Sequence, residues 1–320
     1  MPLVLKYEVA LNTLLPSGFP SRQPTDLGAW LYELMEIDSR FPTKLDSVSD
    51  APEPLRSAVE ENLALAKSVR LLVHAPAFST ADKRSPATVL AVTDSGWLAA
   101  SEIEEGGASV EKSDFSDTLF LELTSILLSG RLRICFASVG TSYSATMMFD
   151  TVGEEFYREA IDLMLDGIDQ TVTPPGKSDG DEASITEVWP LKFRTEAERY
   201  RPKGQRLLAA TQWPAIFGGF ERELAPAGAL LLTERELVLI SEEKTSPRRH
   251  SGDLHEFGGI ITYFPLVRLA DFHLSQHERF GVLALQVHAT RGGDKLEFIF
   301  PSDHERAVSE AMDRRVVHKG

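Results

Sequence analysis

Residues 86–102 read PATVLAVTDSGWLAASE, and residues 226–242 read PAGALLLTERELVLISE. Each segment is an apolar run, a polar turn and a second apolar run, which is typical of a β-hairpin. The turns are Thr93-Asp94-Ser95-Gly96 and Thr233-Glu234-Arg235-Glu236. Because both segments carry the same hairpin pattern, the sequence predicts a tandem duplication. The identical positions are Pro86/Pro226, Ala87/Ala227, Leu90/Leu230, Thr93/Thr233, Ser101/Ser241 and Glu102/Glu242.

Two flanking matches extend the duplication. Upstream, residues 70–78 resemble residues 206–217, and downstream, residues 147–154 match residues 298–305. In the downstream match, Ser or Thr is followed three residues later by Glu, which predicts a capping box that opens a helix in each copy. The pairs are Thr151/Glu154 and Ser302/Glu305. The predicted buried stripes are Val152, Phe156, Ala160, Ile161, Met164 and Leu165, then Ala307, Val308, Ala311, Met312 and Val316.

The region between hairpin and helix predicts further strands. Residues 119–128 fit either a strand or a helix, and we favour the strand. A turn is predicted at Ser129-Gly130, because Ser-Gly is a common turn dipeptide. In the second copy, residues 282–288 alternate as a half-buried strand does. Each unit is therefore expected to hold about six or seven strands and one C-terminal helix.

The chain divides into four predicted parts. Residues 171–190 are rich in Pro, Gly, Ser and acids and predict a linker. It separates a first unit, 68–170, from a second, 191–320. Residues 1–67 have no counterpart before the second unit and predict a helical segment, with helices after Asp26 and at 54–67. Their apolar stripes could bind a partner helix, but we favour packing against the first unit. The stripes are Leu27, Trp30, Leu31, Leu34 and Met35, then Leu55, Ala58, Val59, Leu63 and Ala66.

The duplicated unit resembles the bacterial pleckstrin-homology-like and GRAM domains. In those families the phrase Leu-x-Leu-Thr-x-x-Arg-Leu marks the second and third strands. Residues 230–237 read LLLTEREL and fit this phrase with the Arg one position early, and residues 89–98 fit it loosely. The resemblance covers about residues 68–168 and 204–317 and implies an α+β fold, mainly antiparallel β. It implies two partly open barrels, each closed by a C-terminal helix.

Some members of these families bind phosphoinositides through basic residues in the loop between the first two strands. The matching loops here are residues 79–85, with Lys83 and Arg84, and residues 218–224, with Arg222. A phosphate site needs several converging cations, and these loops carry few. Weak or absent membrane contact is therefore expected, and lipid binding is the alternative function.

Composition narrows the class of partner. The net charge is −15, and a negative field repels nucleic acid and anionic lipid. No apolar stretch is long enough for a membrane span, and no basic leader precedes an apolar core, so we expect no signal peptide. The only cysteine, Cys135, excludes an intrachain disulfide and lies in an alternating apolar stretch. A buried structural thiol and a cytoplasmic location are expected.

No residue pattern predicts catalysis, a metal or a cofactor. The pair His273 and His277 has metal-like spacing only on a helix, and we predict a strand ending in a turn there. His250 and His255 lie in a polar loop. Gly106-Gly107 and residues 140–144 predict turns rather than a phosphate loop or a nucleophile elbow. One local basic cluster remains as a candidate site for an anionic partner: Lys244, Arg248, Arg249 and His250.

These expectations favour a non-enzymatic adaptor or scaffold with a protein or peptide as partner. A groove between a sheet edge and a helix could take a peptide strand. An enzyme with a site between the two units is the second alternative to lipid binding, and converging polar groups in a pocket would favour it. The oligomeric state is not predicted.

Overall fold

In a computed structural model, the structure describes residues 41–63, 68–79, 84–171, 182–185, 188–218, 223–244, 257–277, 279–316. The first half holds strands β1 to β10 and helices α1 and α2. Their bounds are β1 Thr43–Lys44, α1 Leu55–Asn62, β2 Val69–Ala75, β3 Phe78–Ser79, β4 Arg84–Ser85, β5 Thr88–Thr93, β6 Gly96–Glu102, β7 Ala108–Asp114, β8 Thr118–Ile126, β9 Ser129–Ser138, β10 Thr141–Asp150 and α2 Glu154–Gln170.

The second half repeats this order of elements. It begins with helix α3, continues through strands β11 to β19 and ends with helix α4. Their bounds are α3 Leu191–Tyr200, β11 Leu207–Trp213, β12 Ile216–Phe217, β13 Glu223–Ala225, β14 Gly228–Thr233, β15 Glu236–Lys244, β16 Phe257–Pro265, β17 Leu269–Gln276, β18 Phe280–Ala289, β19 Gly292–Pro301 and α4 Glu305–Val316. No helix in the described residues is long and apolar enough to cross a membrane.

The predicted hairpins are confirmed as β5–β6 and β14–β15. A threonine at the equivalent position of each hairpin, Thr93 and Thr233, closes the turn. The Thr93 hydroxyl donates to the carbonyl of Gly96 at 2.9 Å and accepts from the Gly96 amide at 3.0 Å. Thr233 makes the same two bonds to Glu236, at 3.0 and 2.9 Å. Both threonines are buried, so each turn hydroxyl replaces water that the amide would otherwise need.

The fold is α+β with mainly antiparallel strands, as expected, but the sheets are open rather than closed into barrels. The first sheet has the order β1-β2-β5-β6-β7, and the last has β17-β18-β19. Between them lies a seven-stranded sheet with the order β10-β9-β8-β16-β15-β14-β11. Strand β8 of the first half pairs with β16 of the second, for example Leu123 with Ile261. The barrel expectation is therefore not confirmed, because β8 pairs across the halves.

The seven-stranded sheet divides the apolar core into two layers. Leu121, Ile134 and Ile261 lie on one face, in a cluster with helices α2 and α3 and the first sheet. Phe120, Cys135 and Leu239 belong to a second cluster with the last sheet and α4. Because residues alternate along each strand, one sheet supplies both layers and fixes one half of the chain against the other.

In both halves a helix precedes the repeated strands: α1 lies before β2, and α3 lies before β11. The sequence does not predict the second of these helices. Helix α1 packs through Leu55 and Val59 on a cluster that includes Ala91 and Leu98 of the first sheet. Helix α3 packs through Phe193 and Ala197 on the corresponding face of β14 and β15. The helix predicted at 54–67 is confirmed over Leu55–Asn62, with its packing against the first unit, while residues 64–67 lie outside the described residues. The helix predicted after Asp26 lies outside the described residues.

Two local predictions are wrong. Thr151 donates to the carbonyl of Leu127 instead of capping α2, and the Asp150 carboxylate accepts from the Val152 amide. No side-chain cap is present before α4 either, where Pro301 precedes the short 3-10 helix 302–304. The turn after β8 lies at Leu127-Leu128, two residues before the predicted one. Gly130 lies inside β9, where the Phe149 ring leaves no room for a side chain.

Candidate functional site

A cleft of about 290 Å3 lies where the first sheet meets the end of β9 and the β18–β19 turn. The 3-10 helix Phe115–Asp117, which connects β7 to β8, supplies part of its wall. The cleft therefore draws residues from both halves of the chain. Its lining consists of Asn62, Leu63, Thr93, Trp97, Leu98, Lys112, Ser113, Asp114, Asp117, Phe136, Ala137, Ser138 and Arg291.

Asp117 is the buried charge of the cleft. Its side chain is 5% exposed, and its Oδ2 lies 3.3 Å from Nε of Arg291. Its Oδ1 is buried without a hydrogen-bond partner among the described residues. A buried carboxylate oxygen without a donor carries a desolvation penalty of about 1–3 kcal/mol or more. Such an atom is a candidate acceptor for a ligand.

Arg291 reaches Asp117 because the β18–β19 turn lies against the first half. The Gly140 amide donates to the carbonyl of Arg291 at 2.8 Å, and the Thr290 amide donates to the carbonyl of Ser116 at 3.4 Å. The Arg291 side chain is 63% exposed, so most of the guanidinium faces solvent. The backbone of two turns thus holds a solvent-facing cation beside a buried anion.

A buried arginine, Arg268, also connects the two halves of the chain beside the cleft. Arg268 follows β16 and donates to the carbonyls of Thr118 at 3.1 Å and Phe115 at 2.9 Å. It also donates to the Thr171 hydroxyl at 3.0 Å. Burial lowers the pKa of Arg268, while the nearby charges of Asp117 and Asp169 raise it. Arg268 therefore fixes the 3-10 helix that carries Asp117.

An aromatic wall completes the cleft. Trp97 is buried and donates through Nε1 to the Thr118 hydroxyl at 3.0 Å. The Phe136 ring meets the Trp97 ring edge-on, with centroids 5.2 Å apart. Leu63 and Leu98 add aliphatic surface. The cleft thus combines one apolar wall with charges of both signs, as small-molecule sites commonly do.

Strand β7 runs along the edge of the first sheet and ends in the cleft. In the part of the chain that the structure describes, it pairs with β6 alone. The Phe115 amide donates to Ser95 and the Ile103 amide to Gly107, so the odd-numbered residues of β7 face β6. Because antiparallel pairing alternates, the amides and carbonyls of Val110 and Lys112 point away from the sheet.

Most of the basic cluster predicted from the sequence lies outside the described residues. Lys244 is the last residue of β15, and Arg248, Arg249 and His250 lie outside the described residues. Residues 80–83 and 219–222, which include Lys83 and Arg222, lie outside the described residues too. The residues on either side of each loop pair as a short hairpin, β3–β4 in the first half and β12–β13 in the second.

The strand predicted to hold His273 and to end near His277 is confirmed. His273 lies in β17 and His277 follows that strand, so the helical spacing that a metal pair needs is absent there. Residues 250 and 255 are outside the described part of the chain. Within the described residues, no group of three His, Cys, Asp or Glu side chains could hold a metal.

Cys135 is buried, as predicted, on the second-cluster face of β9. Burial raises the pKa of its thiol to about 11, against an opposing hydrogen bond from Arg133. A thiol with a raised pKa carries little thiolate at neutral pH and is a poor nucleophile. Cys135 therefore acts as a core residue.

Two buried carboxyl groups that the sequence analysis missed connect the halves. Glu154 accepts from the Ser125 hydroxyl at 2.8 Å and the Tyr200 hydroxyl at 3.0 Å, and Arg199 lies 2.8 Å away. It had been predicted as a capping residue. The bonds to Ser125 and α3 explain why this glutamate turns away from the helix start.

Glu236 is the second of these carboxyl groups. Its Oε2 lies 3.1 Å from the Thr233 hydroxyl, and its Oε1 has no partner among the described residues. Burial, and secondly the negative charge of Asp169 on α2, raise the pKa of Glu236 to about 8. The neighbouring Arg235 donates to Asp166 and Asp169, at 3.1 Å each. Glu236 is therefore a buried acid at a contact between the halves.

The cleft could not be found from the sequence because its two key charges come from distant turns. The stretch Arg291-Gly292-Gly293-Asp294 is typical of a turn, and Asp117 is one of 48 acidic residues in the chain. The chain matches no protein-family model and no curated protein sequence, so its site is judged on geometry alone.

Proposed function

We propose that this chain is a non-enzymatic adaptor with two pleckstrin-homology-like units, which binds an extended segment of a partner protein along strand β7. The observation that carries the proposal is the outward direction of the Val110 and Lys112 backbone groups. An edge strand with such groups can add one more strand, and the main-chain bonds supply affinity.

The choice of β7 rests on comparison with other outer strands. Strands β11 and β17 both contact helix α4, and β10 contacts β19. Helix α1 lies against β5, β6 and β7 and packs on the face of this sheet, since Leu55 and Val59 join the same cluster as Ala91 and Leu98. Strand β7 is also the outer strand that leads into the cleft.

The order of strands and helix in each half supports the proposal of two pleckstrin-homology-like units. Apart from β1 and the short hairpins β3–β4 and β12–β13, each half has seven antiparallel strands followed by a helix, and antiparallel strands closed by a C-terminal helix are what the resemblance implies. The single buried cysteine supports a cytoplasmic location for the adaptor. Lipid binding through the loops at 79–85 and 218–224 is a weaker candidate, because the sequence of those loops carries few cations. An enzyme at the junction of the halves is the other alternative.

The test is selection of binding peptides from a random display library on the full-length chain, followed by affinity measurements on two variants. Proline has no amide hydrogen, so Val110→Pro removes one outward donor and leaves the β6 ladder intact. Val110→Thr keeps that donor and is the matched control. We expect Val110→Pro to weaken the selected peptides by about tenfold or more, and Val110→Thr by less than about twofold.

The opposite pattern would remove the proposal. If Val110→Pro binds the selected peptides as tightly as the parent while remaining folded, the peptides do not use this edge. Glu111→Pro shows how much a loss of fold stability alone weakens peptide binding, because the Glu111 amide faces β6 and its removal breaks a hydrogen bond of the β6–β7 pair.

A further inference from the structure

The cleft holds a pair of opposite charges beside an apolar wall. Asp117 offers a buried acceptor, Oδ1, and Arg291 offers a guanidinium that is largely exposed. The two are held 3.3 Å apart through Oδ2 and Nε. A small ligand that carries both charges close together could satisfy both groups at once.

We propose that the cleft binds a free amino acid with an apolar side chain, its ammonium on Asp117 and its carboxylate on Arg291. Arginine binds carboxylates through paired N–H groups, and an ammonium group supplies donors to a carboxylate oxygen. Both interactions are stronger for charged partners than for neutral ones.

The charges of the lining favour a zwitterion over a simple ion. Asp114 and Asp117 are opposed by Lys112 and Arg291, so the lining carries two charges of each sign. A lone anion would meet the buried Asp117 carboxylate. A lone cation would meet Arg291 and the nearby buried Arg268. A zwitterion avoids both repulsions and leaves the local charge unchanged.

The apolar wall and the volume of the cleft indicate which side chain the bound amino acid would carry. Trp97 and Phe136 form an edge-to-face pair beside Leu63 and Leu98, which suits an aliphatic or aromatic group. A volume of about 290 Å3 is at the lower end for small-molecule sites and accommodates a single amino acid. Ser138 and Thr93 add hydroxyls to the lining.

This site and peptide addition to β7 use different groups, although the Lys112 side chain also lines the cleft. It requires the side chains of Asp117 and Arg291, whereas strand addition requires the backbone of Val110 and Lys112. Variants can therefore separate the two proposals: Arg291→Gln should leave the affinity of display-selected peptides unchanged, and Val110→Pro should leave amino-acid binding unchanged.

The experiment is isothermal titration calorimetry of the full-length chain with L-phenylalanine and L-leucine. N-acetyl-L-phenylalanine lacks the ammonium, and L-phenylalanine amide lacks the carboxylate. We expect at least one of the two amino acids to bind with a Kd below about 1 mM, and the two derivatives of phenylalanine to bind at least about tenfold more weakly than phenylalanine itself. Asp117→Asn and Arg291→Gln should each weaken the bound amino acid by a similar factor.

Arg306→Gln, on the exposed face of α4, is the matched control for loss of one cation and should not change the affinity. Three results would overturn the proposal: no saturable heat with either amino acid up to about 10 mM, a derivative that binds as tightly as phenylalanine, or unchanged affinity in Arg291→Gln. Because Arg291 is largely exposed, that variant tests the site even if Asp117→Asn does not fold.

Discussion

The Nε atom of Arg291, in the second half of the chain, lies 3.3 Å from Oδ2 of Asp117 in the first half. This pair closes a cleft that neither half could form alone. Arg268 and the β8–β16 pairing hold the same junction. The two halves are therefore joined by strand pairing, by the hydrogen bonds of the buried Arg268 and by the Asp117–Arg291 ion pair, and the candidate site forms where they meet.

The threonine turn predicts a matched loss of stability in the two halves. Replacing Thr93 or Thr233 with valine keeps the volume but removes the hydroxyl that satisfies the turn amide. We expect each variant to lose about 1–3 kcal/mol in the free energy of unfolding, measured by urea titration. Thr233→Val should lose more, because its hydroxyl also contacts Gln205 at 2.7 Å. Thr146→Val, at an exposed position of β10, should stay within about 0.5 kcal/mol; equal losses at all three positions would contradict the assignment.

The position of Gly130 inside β9 predicts a steric penalty. A Cβ at this residue would lie 2.2 Å from the Phe149 ring, which stacks on Tyr157 with a centroid distance of 3.8 Å. We expect Gly130→Ala to destabilise the fold by about 1–3 kcal/mol in chemical denaturation. Gly107→Ala is the control, because its nearest neighbour is the Ile103 side chain at 3.4 Å. A neutral Gly130→Ala would instead support the turn that the sequence predicted there.

Glu236 predicts a pH dependence of stability. Its folded pKa of about 8 lies above the ordinary value of 4.5, so the folded state retains a proton that the unfolded chain releases. This contribution is fully present below pH 4.5 and is lost as the pH rises through 8. Glu236→Gln stays neutral throughout, so its stability relative to the parent should rise between pH 4 and pH 9 by roughly 5 kcal/mol, at about 1.4 kcal/mol per pKa unit.

Urea titrations of both proteins at several pH values between 4 and 9 give that difference directly. Glu297→Gln is a suitable control, because this carboxyl is exposed and its pKa is lowered, chiefly by the hydrogen bond from Lys295. A difference between Glu236→Gln and the parent that does not change with pH would show that Glu236 is ionised in the folded protein.

Local chemistry explains what the sequence predicted correctly. The repeated Thr at the hairpin turn, the alternation in β18 and the burial of Cys135 depend on neighbours within a few residues, so their patterns are visible in the chain. The helices α2 and α4 were predicted from their apolar stripes. Their first turns were not, because Glu154 binds Tyr200 and Ser125 rather than its own backbone.

The site could not be predicted because long-range pairing leaves no local pattern. Nothing in residues 118–126 indicates that this strand pairs with 257–265 of the other half. Helix α3 was also missed, since its polar residues conceal the buried Phe193, Ala197 and Tyr200. Asp117 and Arg291 become neighbours only after those contacts form.

Amide hydrogen exchange along β7 tests the proposed function most directly. The chain is measured alone and with a saturating display-selected peptide, and exchange is followed at Val110, Glu111 and Lys112 by NMR. If the peptide adds to the edge, the outward amides of Val110 and Lys112 should slow by about tenfold or more, while the Glu111 amide, already bonded to β6, changes little. If Val110 and Lys112 exchange at the same rate with and without bound peptide, the edge of β7 is not the binding site.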